Sequence, residues 1–459
     1  GVSGTLTYDK SYWTQTTGDF NDLKLGTKNW PNAKHGGAGV NIDDLWHAAV
    51  NGRGRYYSAL NASDLTDAIT SVFSGLDSDP GSAAAAATST LELVSDGNNL
   101  LFSASYTTNI WTGDLKAYAI DGKASISATP SWSAQEELDK VTYSDRKIYF
   151  KGTSGLTLFE YGNLTSTQKA LFDNLCSKAS VADQCAELTT DELTVANSGT
   201  NLVNYLRGDQ TYTVKTGSDP STLAPLYRQR VNILGDTING APVYVGKPPF
   251  NYEDDGYADF AVTNRSRKPM VYIAANDGML HAISADDADG GKEIWAYVPT
   301  AVMPNMYKLA DKGYGGKHQY FVDGAPVIGD VKIGDDRRTI IVGGLNKGGN
   351  SYYALDITDP SNPVMLWEFT DANMGLTFGN PIITKRQDGK WVVVVASGLN
   401  NTSGDGKGHL YVLDAANGDK LLDLPTTAGS SASPSGLSKI NAWIDKMADN
   451  TALHFYGGD

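Results

Sequence analysis

Apolar residues alternate with small or polar ones along most of the chain after residue 90, and the alternation recurs in a fixed grammar. The stretch VYIAANDGMLHAISADDADGGKEIWAYVP, from Val271 to Pro299, reads as an apolar strand followed by a polar turn at Asn276 to Gly278. A second strand, an Asp- and Gly-rich turn and a third strand carrying Trp295 complete it. TIIVGGLNKGGNSYYALDITDPSNPVMLWEF and WVVVVASGLNNTSGDGKGHLYVLDAANGDKLLDL repeat that order, with second strands MLHAIS, YYALDI and LYVLDA. LLFSASYTTNIWTGDLKAYAID predicts an earlier hairpin, with a tight turn at Thr112 and Gly113. The repeats are spaced by roughly 60 to 70 residues, longer than the common propeller repeats, so insertions are expected between sheets. Short sheets of this kind arranged radially make a β-propeller, which protects most of its strand edges.

Residues 1–76 follow a different period. NIDDLWHAAVNG places Ile42, Leu45, Trp46 and Ala49 at helical spacing behind Asn41 as a cap. RYYSAL predicts a short strand, and DLTDAITSVFSGL a second helix with Leu65, Ile69, Val72, Phe73 and Leu76 on one face. Helix, strand and helix make an α/β piece with too few strands for a complete sheet, so it is expected to be the tail of a domain. DSDPGSAAAAATST, residues 77–90, is low in complexity and broken by Pro80 and Gly81, which predicts a linker. Residues 91–459 form the propeller region, and a segment at about 162–240 interrupts it with helical or irregular stretches such as TSTQKALFDNLC.

Composition narrows the functional classes. The 459 residues carry 37 Lys and Arg against 52 Asp and Glu, a formal charge of −15, with no basic run, which argues against nucleic acid as a partner. With 49 glycines, 24 tyrosines, 9 tryptophans and 19% charged residues, the chain favours turn-rich β-structure over a helical bundle. No apolar run approaches the ~18 residues of a membrane span. The two cysteines, Cys176 and Cys185, lie close together without a second pair to complete a zinc site, so a small disulfide and an oxidising compartment are expected. Because the chain begins with Gly, a signal peptide is expected to have been removed or to lie upstream.

The turns with Asp289, Gly290 and Trp295 resemble the tryptophan-docking units of quinoprotein-type propellers, which implies that Trp295 packs against a neighbouring sheet. More specifically, NLVNYLRGD, YRQRVNILGDTINGAPVYVGKP, VYIAANDGMLHAI, HQYFVDGAPVIGDV, GGLNKGGNSYYALDIT and WEFTDANMGLTFGNPII, in that order, resemble the PilC/PilY family of type IV pilus tip adhesins. DDLWHAAVNGRGRYYSA is similar to the end of the von Willebrand A-like domain that precedes the propeller in one branch. The resemblance implies a mainly β fold: a quinoprotein-like propeller, seven-bladed in the family and with its last blade incomplete here, after an α/β fragment. It also implies a non-enzymatic, exported protein at the extracellular pilus tip, reached through the periplasm and outer membrane. There it would work with minor pilins in pilus biogenesis, twitching motility and adhesion to a host receptor or surface. The competing reading is a pyrroloquinoline-quinone dehydrogenase, which would require adjacent cysteines stacked on the quinone and a Glu/Asn/Asp calcium set.

Candidate metal chemistry is sparse. NTSGDG offers Asn401, Ser403 and Asp405 at the alternate positions of a calcium loop, but position twelve is Val412, so a polar hairpin tip explains it as well. The turn Asp286 to Gly291 lacks an oxygen side chain at Ala285. Glu253, Asp254, Asp255 and Asp259 sit among Tyr252, Tyr257 and Phe260, which suggests a turn anchored by packing. The family's calcium loop near WIDKMADNTALHFYGGD is not carried over, because Asp445, Asp449 and Asn450 lack its alternation. A von Willebrand A metal triplet at Asp9 to Trp13 fails on Trp13. His35, His47, His281, His318, His409 and His454 show no zinc-helix spacing, and His281 and His409 are expected to be packed or turn-bonded.

Overall fold

The structure, a computed structural model, describes residues 4–8, 16–32, 38–51, 56, 80–81, 86–88, 99–122, 124–213 and 225–458. The chain divides into two compact units, Gly1–Ser78 and Asp79–Asp459.

In the first unit, helices span Asp19–Leu25 and Ala38–Asn51. The second begins three residues before Asn41, so that residue lies inside the helix rather than capping it. Its inward stripe is also displaced from the expected one: Trp46 and Asp43 are buried while Leu45 is 63% exposed. An aromatic cluster decides that rotation. Trp46 stacks on Phe20 at 5.8 Å and meets Tyr8 and Trp30 edge-on at 5.4 and 5.5 Å. Asp43 accepts from the Thr5 amide at 2.8 Å and the Leu6 amide at 3.2 Å, which satisfies a buried carboxylate on the same face. The expected helix over residues 64–76, the RYYSAL strand apart from Tyr56, and the Asp9 to Trp13 stretch lie outside the described residues.

Among its described residues the second unit holds four sheets. The first holds β1 (Pro80–Gly81), β2 (Ala86–Thr88), β3 (Asn99–Thr107), β4 (Thr112–Ile120) and β5 (Trp132–Ser133). β1 and β2 both pair with β3, so part of the stretch expected to be a linker is sheet. The β3–β4 turn occupies residues 108–111, not Thr112 and Gly113, which already pair in β4. Asn109 and Trp111 take the positive φ values of 69° and 53° that this turn needs.

The second sheet contains β6 (Ile148–Gly152), β7 (Gly155–Leu158), β8 (Val243–Val245), β9 (Met270–Ala275), β10 (Met279–Ser284) and β11 (Glu293–Val298), in the order β7-β6-β11-β10-β9-β8. The third is the meander β12 (Val327–Ile333), β13 (Asp336–Gly344), β14 (Tyr352–Asp356) and β15 (Val364–Phe369). The fourth is formed by β16 (Ile382–Lys385), β17 (Trp391–Ala396), β18 (Lys407–Asp414) and β19 (Lys420–Gly429). The hairpin β20 (Ile440–Lys446) and β21 (Thr451–Gly457) joins it on the β16 edge. Every residue of β9, β10, β14 and β17 is buried, as expected where both faces of a sheet pack against neighbours.

A repeated tryptophan position ties sheet to sheet. Trp132 faces Ala117 across the β4–β5 pair, Trp295 faces Ala282 across β10–β11 and Trp367 faces Ala354 across β14–β15. Each indole crosses to a turn of the following sheet. Trp295 Nε1 donates to the Pro360 carbonyl at 2.8 Å, and Trp367 Nε1 to Ala415 at 3.1 Å. Trp132 lies so close to Gly290 that an added Cβ there would fall 2.5 Å from the ring, and Gly418 is pressed by Trp367 in the same way, at 2.6 Å. In the fourth sheet Leu422 faces Val412 at this position and is 48% exposed.

The segment between β7 and β8 is helical over Ser166–Phe172, Thr190–Ala196 and Gly199–Arg207, each capped at its start by a Thr or Ser hydroxyl. Cys176 and Cys185 are joined, with S–S 2.05 Å and Cα–Cα 5.7 Å. The insertion is not a surface appendage: Phe172, Leu175, Leu202 and Leu206 share one apolar cluster with Trp295 and Tyr297.

Candidate functional site

Ionisable side chains concentrate in the second sheet, where β10 and β11 meet the insertion. His281 projects from β10 between two carboxylates. Its Nε2 lies 3.1 Å from Asp277 Oδ2, one turn back in the chain, and its Nδ1 lies 2.6 Å from Glu293 Oε2 on β11. Arg146 completes the chain of charges with a bidentate grip: Nε to Glu293 Oε1 and Nη2 to Oε2, both at 2.8 Å. Its Nη1 donates to the Arg207 carbonyl at the end of the insertion helix, at 2.6 Å. Asp277 also accepts from the Gly235 amide at 3.0 Å.

All four side chains are buried, and burial alone would strip their charges. Burial pushes the His281 imidazole down, but the charge and hydrogen bond of Asp277, with those of Glu293, outweigh it and raise the pKa to about 9. For Glu293, burial pushes upward and the Arg146 charge together with His281 wins, leaving about 2. Asp277 is held below its ordinary value because His281 and the Gly235 amide outweigh burial. Two positive and two negative groups therefore stay ionised and neutralise one another.

Next to this knot a cleft forms from the β3–β4 turn, the β9–β10 turn and the segments around residues 228–239 and 311–323. Asp236 accepts from Asn276 Nδ2 at 2.7 Å and pairs with His318 Nε2 at 2.9 Å. Trp111 stacks on His318 at 3.9 Å between ring centroids, and its indole donates to the Gly315 carbonyl at 2.9 Å. Asp323 accepts from the Asn239 amide at 3.3 Å and side chain at 2.7 Å. Burial lifts Asp323 to about 6 despite those bonds, with the nearby Asp236 charge adding to the rise. Such a set can hold a proton or orient a polar group. It contains no side chain poised as a nucleophile beside a free base.

The residues singled out from the sequence land elsewhere. Asn401 is buried at the tip of the β17–β18 hairpin, its Oδ1 accepting from Gly404 at 3.1 Å and its Nδ2 donating to the Lys407 carbonyl at 3.2 Å. Asp405 accepts from the Lys407 amide at 2.9 Å and faces His409 at 3.1 Å, and Ser403 is exposed. Asp254 is gripped by Lys385 at 2.6 Å and Arg337 at 3.0 Å, while Tyr252, Tyr257 and Phe260 pack beside it. Asp289 pairs with Lys268 at 2.7 Å. Among the described residues, no group of three His, Cys, Asp or Glu side chains is arranged to hold a metal ion.

Sequence reasoning missed the Arg146–Glu293–His281–Asp277 knot. One signal was available: Asp followed by His four residues later after a strand, present both at Asp277–His281 and at Asp405–His409. The pairing of Arg146 with a residue 147 positions away had no local signature.

Fold and site together define a propeller-type β scaffold in which the charges of the Arg146–Glu293–His281–Asp277 knot are spent on one another. Residues 234–459 match the family described as the PilY1 beta-propeller domain. The chain is 34% identical over 481 residues to the type IV pilus biogenesis factor PilY1 of Pseudomonas aeruginosa strain PAK, covering 100% of this chain and 39% of that protein. It is 32% identical over 443 residues to a PilY1 homolog of Xylella fastidiosa strain Temecula1, covering 94% of this chain and 31% of the relative. A crystal structure of the P. aeruginosa PilY1 C-terminal domain matches with TM-score 0.39 and 31% identity, over 47% of this chain and 43% of that one. Residues 234–459 therefore belong to the PilY1 beta-propeller domain family, and the chain as a whole is similar to PilY1 type IV pilus biogenesis factors. It spans well under half the length of the curated relatives it matches, 39% of the first. No helix among the described residues is long and apolar enough to cross a membrane.

Proposed function

We propose that this chain is the scaffold portion of a non-enzymatic type IV pilus biogenesis factor, exported and held at the pilus tip, where it supports pilus assembly, twitching motility and surface adhesion. The observation that carries this reading is the 34% identity extending over the whole chain, first unit included, to a type IV pilus biogenesis factor. The buried Arg146–Glu293–His281–Asp277 knot of the second unit supports it, since its members bind one another and lock strands, as a presenting scaffold requires. The first unit is read as the end of a von Willebrand A-like domain. Minor pilins are the expected partners, and a host receptor or abiotic surface the expected adhesion target.

The test is complementation. A strain lacking its own family member should regain surface pili and twitching when the full-length protein containing this chain is supplied, and minor pilins should co-purify with it. Restored pili without minor-pilin capture would remove the partner assignment, and absence of both would remove the reading.

A further inference from the structure

We propose that the cleft between Arg228 and Arg230 is a binding site for a single small inorganic anion of halide size. Both side chains line it, together with Trp111, Asn232, Asp236 and Asp277. Arg230 is 6% exposed; its guanidinium lies 4.6 Å above the Tyr205 ring and donates to the Tyr205 carbonyl. Arg228 lies 4.2 Å from the Tyr314 ring centroid. The Nε atoms of both arginines are buried and have no hydrogen-bond partner. Neither guanidinium has a carboxylate partner among the described residues, whereas Arg146, Arg207 and Arg337 each have one, at 2.8, 3.3 and 3.0 Å.

The acids that share the cleft are already engaged. Asp277 is bound by His281 and the Gly235 amide, and Asp236 by Asn276 and His318. Arginine does not deprotonate in a protein, so two guanidinium groups facing one cleft leave positive charge that must be balanced or strongly hydrated. Space selects the size of the counter-charge. The space open to the centre of a water-sized particle is about 10 Å³, enough to seat one such particle but not a phosphate or a peptide terminus. A halide accepts from several N–H donors without directional demand, which suits two Nε–H groups held by aromatic stacking rather than in one fork. Its binding would tie the segment carrying Arg228 and Arg230 to the β9–β10 turn beside the charge knot. This inference goes beyond the pilus role and does not depend on it.

The experiment is chloride NMR linewidth on the whole chain, with bromide as competitor. Excess broadening that bromide titrates away is expected for the unaltered protein. The excess should be lost in Arg228→Gln and Arg230→Gln and kept in Arg265→Gln, an exposed control. Should Arg230→Gln fail to fold, Arg228→Gln, at a half-buried side chain, decides alone. No excess broadening in the unaltered protein, or equal broadening in Arg228→Gln, would overturn the proposal and leave the cleft to water.

Discussion

The second and fourth sheets carry the same motif in different surroundings. In each, a histidine, on β10 or β18, lies 3.1 Å from an aspartate four residues back and 2.6 Å from an acid on the next strand: Asp277, His281 and Glu293 in one, Asp405, His409 and Asp423 in the other. Bond lengths do not distinguish them, but water does. The Asp277 and Glu293 side chains are 6% and 3% exposed, against 41% and 29% for Asp405 and Asp423. The cause is the strand beyond. β11 is covered by β6 in parallel pairing and by the helical insertion, whereas β19 has no strand paired on its outer side among the described residues. Arg146 arrives with that cover, and in the open copy its place is taken by Lys420, 3.1 Å from Asp423. One pattern therefore yields a fully buried charge network in one sheet and, in the other, a buried histidine whose two acids reach solvent.

The contrast can be broken most forcefully at Glu293. Glu293→Gln leaves Arg146 and His281 without their shared counter-charge, and a loss of about 3–5 kcal/mol is expected in urea unfolding. A loss below about 1 kcal/mol would mean that the network is hydrated after all. Next is the docking position. Trp295→Ala removes a fully buried indole and should cost about 3–5 kcal/mol, while Leu422→Ala at the equivalent open position should cost less than about 1 kcal/mol. Equal losses would show that the fourth sheet is covered in solution. Third is the cover itself: replacing Cys176 and Cys185 together by serine should lower stability by about 2–3 kcal/mol, because the cross-link closes a short loop within a packed insertion. Unfolding midpoints with and without reductant would measure it.

Proton linkage sharpens the comparison further. His281 is raised to about 9 in the folded protein, so its contribution is complete below the unfolded value near 6.5 and is lost as pH rises through 9. Glu293, lowered to about 2, contributes fully above about 4.5 and loses that contribution as pH falls through 2. Stability measured between pH 6 and pH 9 should decline, and His281→Gln should flatten that decline; an unchanged slope would place its origin elsewhere. The smallest effect belongs to the open triad, where Asp423→Asn should shift stability by less than about 1 kcal/mol.

Particular residues show how far the sequence could be read. The strands around Val271, Tyr352 and Trp391 were legible because a two-residue period with turn residues between runs is a local property. The turn at Asn276 to Gly278 and the Cys176–Cys185 bond followed from the same kind of local signal, and the docking of Trp295 from the propeller resemblance. The helix around Trp46 in the first unit was legible, but its inward face was not: Leu45 is as apolar as its neighbours, and only the positions of Tyr8, Phe20 and Trp30 turn Trp46 inward. The β3–β4 turn was placed too late because Trp111 adopts a positive φ that its residue type does not advertise.

What the sequence by itself determined is the sheet grammar and the family resemblance, with the docking of Trp295 that a propeller resemblance implies, since each rests on residues close together or on an ordered set of motifs. Tertiary structure alone decided which charges are buried. His281 and His409 carry equivalent local neighbours, and Trp111 meets His318 across more than two hundred positions of chain. Desolvation depends on what packs over a side chain, and the covering segments come from distant stretches whose own sequence gives no sign of the partner they will meet.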